Sequence, residues 1–345
     1  MMSVRMFKLL ALLATLVAFV VITLGAYVRL SHAGLGCPDW PGCYGKIVAP
    51  VNPTDIEQAN LNFPQRPVET GKAWKEMVHR YFASFLGLLI VGLAVLAWLN
   101  RKDPVQLLVL PFSLVFLVIL QGLLGMWTVT LLLKPVIVTL HLLLGVSTMA
   151  LLWFMTLRAK LFPHFVLSKD EQVKPVFKKI AVFALLVVFV QIFLGGWTST
   201  HYAALHCWDF PTCQGQWFPE VDFSEAFSIQ HMAHEPGRNY EGGRLSNAAG
   251  MAVHLTHRMG AAVTLLVVGL LSSGLLLTSQ VKNVKMVAAL MLCLLLLQVS
   301  LGISNVLLAL PLPIAVAHNG VAALLLLSLV TTNYLLFSTP KNIKR

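Results

Sequence analysis

Charge is what this chain has least of. Asp, Glu, Lys and Arg together make up 11% of its residues, against about 25% in soluble globular domains. So little charge cannot clothe a water-facing surface over 345 residues, which excludes an ordinary soluble protein. Acids are scarcer still, 14 against 25 basic residues. The resulting net charge of +11 needs no nucleic acid to explain it, because basic loops and contact with anionic lipid account for it. Cysteine is also sparse, with five residues, and no small-residue cleavage site follows the first apolar run. That run is therefore expected to be a retained helix rather than a signal peptide.

What fills the chain instead is hydrocarbon. Hydrophobic residues make up 57%, mean hydropathy is +0.78, and apolar runs of membrane-spanning length recur throughout. The pattern predicts eight spans, near 7–28, 76–99, 106–130, 136–157, 177–199, 250–277, 285–309 and 313–337. The expected fold class is an all-α integral membrane protein. Its eight transmembrane helices are expected to form two parallel-repeat four-helix bundles.

Lys and Arg set the orientation. One side collects Arg5, Lys8, Arg101, Lys102, Arg158, Lys160, Lys169, Lys174, Lys178, Lys179, Lys282, Lys285, Lys341, Lys344 and Arg345, the majority of the 25 basic residues, in short loops. Both termini are accordingly expected in the cytoplasm. Cys37 and Cys43, after the first span, and Cys207 and Cys213, after the fifth, fall on the opposite side, where disulfides persist. Cys293, alone in the seventh span, is expected to be a packed apolar residue.

The chain repeats itself. The interval from Gly25 to Cys37 equals that from Gly195 to Cys207, and the two cysteine pairs have the same separation. Asp39 matches Asp209, and Pro41 matches Pro211. Glu76-Met-Val-His79-Arg80 aligns with His254-Leu-Thr-His257-Arg258. Gln121 precedes His141 by the same interval as Gln298 precedes His318. The stretch from His79 to His141 and the stretch from His257 to His318 differ in length by a single position. Four spans per half make the repeats parallel, related by an axis along the membrane normal. The expected division is 1–160, a cytoplasmic linker 161–176, and 177–345. The second outer loop, 200–249, is longer than the first and rich in His, Glu and Gly.

Four of the 11 histidines sit at equivalent places in spans: His79, His141, His257 and His318. All lie near the outer ends of even-numbered spans. Ionisable groups inside spans are costly and are functional candidates by default. The alternative is a neutral imidazole bonded to a neighbouring helix, which four repeat-related residues at one depth make the weaker reading. Two imidazoles facing across a bundle suit haem iron, whose porphyrin supplies the other four nitrogens. They do not suit structural zinc, which takes four protein ligands. Each half is thus expected to hold one haem between its second and fourth spans.

Arg80 and Arg258 each follow a ligand candidate. They either pair with haem propionates or anchor the helix at the interface. Glu76 lies on the helix face of His79, where the second half has His254. A carboxylate beside one site alone suggests that one half does chemistry and the other keeps a permanent cofactor. The competing reading is a surface residue at the helix end. Each cysteine pair, if bridged, closes a seven-residue loop, stabilises it by about 2 kcal/mol, and forms a lid over a haem edge. Thiol exchange with redox partners, or a metal site with His32 or His206, are lesser readings.

Taken together, the two four-span halves, the outer cysteine pairs, the Glu-x-x-His-Arg motif and the four histidines resemble the haem A synthase family over essentially the whole chain. The segment Asn239-Tyr-Glu-Gly-Gly243 resembles its bacterial members. The resemblance implies oxidation of the C8 methyl of haem O to a formyl group by successive hydroxylations, giving haem A for cytochrome oxidase. It implies His79 and His141 around the substrate haem, with Glu76 assisting, and His257 and His318 holding a haem b. It implies Cys37–Cys43 and Cys207–Cys213 bridges and a bacterial inner-membrane location. It also implies a haem O synthase as supplier and leaves room for a quinol electron donor and a homo-oligomer. Two other readings compete. A bis-histidine electron carrier explains the histidines but not Glu76. A transporter fits parallel repeats but calls for broken helices.

Overall fold

The computed structural model describes residues 2–102, 108–159, 161, 173–228 and 237–338. Ten α-helices are seen among them: α1 (Met2–Leu30), α2 (Pro53–Asn62), α3 (Thr70–Leu99), α4 (Val109–Thr130), α5 (Pro135–Arg158), α6 (Pro175–Thr200), α7 (Phe223–Ala226), α8 (Asn247–Thr278), α9 (Lys282–Leu307) and α10 (Leu312–Phe337). Eight are long and apolar enough to cross a membrane, namely all but α2 and α7. At about 1.5 Å per residue even the 22 residues of α4 exceed a hydrocarbon core about 30 Å thick. These eight match the expected spans, most with ends extended by a few residues, while α4 begins three residues later and α9 ends two residues earlier than expected. The expected linker 161–176, and Lys160, Lys169, Lys341, Lys344 and Arg345 of the orientation argument, lie wholly or mostly outside the described residues.

Local chemistry sets the helix ends. Proline opens α5 and α6, where its missing N–H costs nothing. Ser246 caps α8 by accepting from Ala249 N at 3.2 Å. Left-handed residues close the others: His32 after α1, Leu132 and Leu133 after α4, Tyr202 after α6, and Ala309 and Leu310 after α9. These positions fall in pairs, 32 with 202, 132 with 309 and 133 with 310. Tyr44 and Gln214 complete the set of left-handed non-glycine residues described.

The helices form two rings. In one, α1 packs on α3, α3 on α4, α4 on α5 and α5 back on α1; in the other, α6, α8, α9 and α10 close likewise. Within each ring the helices bearing the paired histidines therefore stand diagonally opposed, α3 against α5 and α8 against α10. The rings meet through α1 on α10, α5 on α6 and α5 on α10. Ala11, Ala14 and Ala18 line the buried face of α1 and let Ile90, Leu93, Met149 and Leu152 approach closely. Hydroxyls and an indole N–H stitch the halves. Thr139 meets Thr200 at 3.3 Å and Trp153 Nε1 donates to Thr331 at 2.8 Å, while within the second ring Asn333 donates to Ala181 O at 3.0 Å.

One expectation is corrected. Cys293 is exposed rather than packed. It continues the stripe of Met286, Leu290 and Leu297 on α9, all exposed, at the three-to-four-residue spacing of a single helix face. That face points to hydrocarbon, where a thiol serves as a small apolar group.

Candidate functional site

The four histidines lie two to three turns into α3, α5, α8 and α10, counted from Thr70, Pro135, Asn247 and Leu312. At about 1.5 Å per residue this is roughly 9–15 Å from the outer ends. His79 and His141 stand on the diagonally opposed helices of one ring, and His257 and His318 on those of the other. Each ring lies against a glycine of a neighbouring helix. A Cβ on Gly25, Gly195 or Gly302 would sit 3.1 Å from the imidazole Cε1 of His79, His257 or His318, and one on Gly125 would sit 3.7 Å from that of His141. At the three 3.1 Å seats any Cβ would crowd the ring, whereas at Gly125 it would make an ordinary van der Waals contact.

The ring nitrogens are incompletely satisfied. Nδ1 of His79, His141 and His318 is buried without a hydrogen-bond partner. Leaving a buried polar atom unpaired costs about 1–3 kcal/mol, so three at equivalent depth call for a ligand. Gln191 Nε2 lies 3.1 Å from His257 Nδ1 and donates to His257 O at 3.0 Å. Gln298 Nε2 lies 3.2 Å from His318 Nε2, and Gln121 Nε2 donates to His141 O at 3.1 Å. Among the described residues no cluster of three or more His, Cys, Asp or Glu is placed to hold a metal. Two-imidazole sites with open nitrogens fit a haem, which needs only axial donors from the protein.

The outer loops are built alike. Cys37–Cys43 and Cys207–Cys213 are disulfides. After each, a tight turn pairs Cys43 N with Lys46 O at 2.7 Å and Cys213 N with Gln216 O at 2.9 Å. Its two central residues, Tyr44-Gly45 and Gln214-Gly215, both have positive φ, as a type I′ turn requires. The Asp39 carboxylate accepts from Tyr44 N and Gly45 N at 2.6 and 2.7 Å, and Asp209 accepts from Gln214 N and Gly215 N at 2.6 and 2.9 Å. Burial raises the Tyr44 phenol and lowers the His206 imidazole from their ordinary pKa values. His206 packs against Gly250, while His32 stacks on Tyr202 at 5.6 Å.

Arg80 and Arg258 turn to these loops. Arg80 donates to the carbonyls of Asp39, Pro41 and Gly42 at 3.1, 3.3 and 2.5 Å. Arg258 donates to those of Thr212, Cys207 and Asp209 at 2.8, 2.8 and 2.7 Å. Both guanidiniums are thus occupied in clamping a disulfide loop to the helix that carries a histidine. No local pattern signals this, because the carbonyls come from residues far away along the chain.

Glu76 is not a surface residue: it is 4% exposed. Its carboxylate accepts from Cys37 N at 2.9 Å and from Arg80. His254 occupies the same place in the other half, with Nδ1 3.3 Å from Cys207 N and Nε2 3.3 Å from Arg258 Nε. A neutral imidazole accepts at only one nitrogen, whereas a carboxylate accepts at both oxygens. The first half therefore has the better-satisfied clamp. Sequence reasoning missed the glycine seats. Their signal lay in the spacing, since Gly125 precedes His141 by the same interval as Gly302 precedes His318.

Fold and site together define an eight-span membrane protein with two diagonal histidine pairs, each beneath a disulfide-closed loop. The cytochrome oxidase assembly protein family model matches residues 8–330, and the chain belongs to that family. It is 45% identical to the Heme A synthase of Shewanella oneidensis over 94% of this chain and 95% of that protein. It is 26% identical to the Heme A synthase of Rhizorhabdus wittichii over 92% and 90% of the two chains. For that of Shouchella clausii the figures are 29% identity over 65% and 68%.

Proposed function

We propose that this chain is a haem A synthase, a multi-pass oxidoreductase of the bacterial membrane that oxidises the C8 methyl of haem O to a formyl group. The observation that carries the reading is the set of four half-buried imidazoles, each seated against a glycine, three with a buried, unpartnered nitrogen. Residues 1–160 form the half that takes the substrate haem between His79 and His141, and residues 177–345 the half in which His257 and His318 hold a haem b. The paired left-handed residues and the contacts between the rings support a two-fold relation of the halves about the membrane normal. Disulfides in the loops after α1 and α6 support an outward face for those loops, with both termini in the cytoplasm.

A haem b in the second half supplies one-electron transfer. The protein's own groups do the rest. His79 and His141 orient the substrate porphyrin, and the first disulfide loop, clamped by Arg80, shields its outer edge from water. With water supplying the oxygen, converting a methyl to a formyl group through two hydroxylations and loss of water from the diol releases four protons and four electrons, and two quinones reached through the haem b would take the electrons. Protons must therefore leave the site. Glu76, three residues from His79 on the same helix face, is the base we assign. The asymmetry between Glu76 and His254 supports placing the chemistry in the first half. The haem O supplier is a haem O synthase.

Haem extraction from the full-length protein, purified from cells that make haem O, tests the reading. Haem b together with haem O and haem A is expected, with haem A lost in Glu76→Ala while haem b stays. Extraction of haem b alone from the wild type overturns it in favour of the electron carrier.

A further inference from the structure

We propose that Gln191 is a positioning residue that holds the imidazole of His257 for a permanently bound haem, a device the first half lacks. The proposal rests on the second half being the one that keeps its haem. Gln191 Nε2 lies 3.1 Å from His257 Nδ1 and donates to His257 O at 3.0 Å. One amide thus touches both the ring and the backbone of the same residue, which fixes how the ring is turned. With Nδ1 facing Gln191, Nε2 is the nitrogen left for iron. A neutral imidazole that gives Nε2 to a metal carries its proton on Nδ1, and that proton needs an acceptor. Gln191 Oε1 is buried without a partner. A turn of the amide about its last bond presents this oxygen to the Nδ1 proton.

The seat for the amide is built into α8. A Cβ on Gly260 would overlap Gln191 Oε1 and would lie 2.9 Å from the Leu194 side chain, so glycine makes the room. The repeat shows that the two residues go together. Gln191 stands four residues before Gly195, and Val21 stands four before Gly25. Gly260 stands three residues after His257, and Phe82 three after His79. The half with the amide has the glycine that admits it, and the other half has neither. The second ligand follows the same division. Gln298 Nε2 lies 3.2 Å from a ring nitrogen of His318, while its counterpart Gln121 donates to the backbone carbonyl of His141. Nδ1 of both His79 and His141 stays unpartnered.

An accepting amide holds a metal-bound imidazole in orientation and makes it a stronger donor, which slows its loss and favours the ferric ion. Both effects suit a haem that stays in place and passes single electrons. Rings without such a brace suit a porphyrin that must arrive and leave.

The test uses full-length protein with its resident haem in phosphatidylcholine nanodiscs. Haem loss to excess apomyoglobin is followed by absorbance, and the midpoint potential is measured by redox titration. Gln191→Met keeps the bulk and removes the amide. It is expected to lose haem roughly tenfold to hundredfold faster and to have a more positive potential. Gly260→Ala, which pushes the amide aside without altering it, is expected to move both readings the same way, and it carries the test if Gln191→Met retains too little haem to titrate. Gln191→Glu keeps an acceptor oxygen and is expected to restore slow loss. Loss at the wild-type rate in Gln191→Met and Gly260→Ala overturns the proposal. So does faster loss with an unshifted potential, which marks a packing defect only, or loss from Gln191→Glu as fast as from Gln191→Met. A resident haem signal that survives His257→Ala defeats the haem-site reading itself, and this proposal with it.

Discussion

The Glu76 carboxylate accepts the backbone N–H of Cys37 at 2.9 Å, across 39 residues of chain. One side chain therefore ties the first disulfide loop to the helix that carries His79, and stands beside the chemistry as well. Glu76→Ala removes both roles, and Glu76→His separates them, because His254 shows that an imidazole can hold the equivalent loop. Both variants are expected to lose haem A formation. Hydrogen exchange at the Cys37 amide should be fast in Glu76→Ala and remain slow in Glu76→His. Full activity in Glu76→His removes the carboxylate from the chemistry.

The glycine seats give a graded series. Gly195→Ala and Gly302→Ala place a methyl 3.1 Å from an imidazole, so the rings of His257 and His318 must shift. Resident haem content, read from the absorption spectrum, should fall in both. Gly145→Ala, with nothing within 4 Å, should leave it unchanged. Equal haem in all three shows that the seats do not position the rings.

Arg258 holds its loop through three carbonyls. Charged hydrogen bonds are worth about 1.5–3 kcal/mol each, with incomplete additivity. Arg258→Met should therefore open the 207–216 loop to protease while the helices stay folded by circular dichroism. Unchanged protease resistance contradicts the clamp.

Thiol labelling tests the disulfide assignment. Without reductant a lipid-soluble maleimide should label one residue, Cys293, and Cys293→Ser should abolish the signal. After reduction and unfolding all five should react. Two or more labelled sites in the oxidised protein contradict the disulfide assignment.

Much of this was legible in the sequence for physical reasons. Backbone groups in hydrocarbon must be satisfied within the helix, so apolar runs map directly onto spans, and the duplication left a ruler in the spacing of Gly25, Cys37, His79 and His141. Other features depend on partners distant in sequence. Arg80 reads as a propionate or interface residue until the carbonyls of Asp39 and Gly42 are seen around it. Cys293 reads as packed because a lipid-facing stripe and a core-facing stripe are equally apolar.

The central claim is that two histidine pairs hold two separate haems. Haem stoichiometry and low-spin electron paramagnetic resonance of single histidine variants test it most directly. His257→Ala and His318→Ala should each lose the resident bis-histidine signal. His79→Ala and His141→Ala should keep that signal and lose only uptake of a second porphyrin. Loss of all haem from every variant, or retention of the resident signal in both His257→Ala and His318→Ala, contradicts the account.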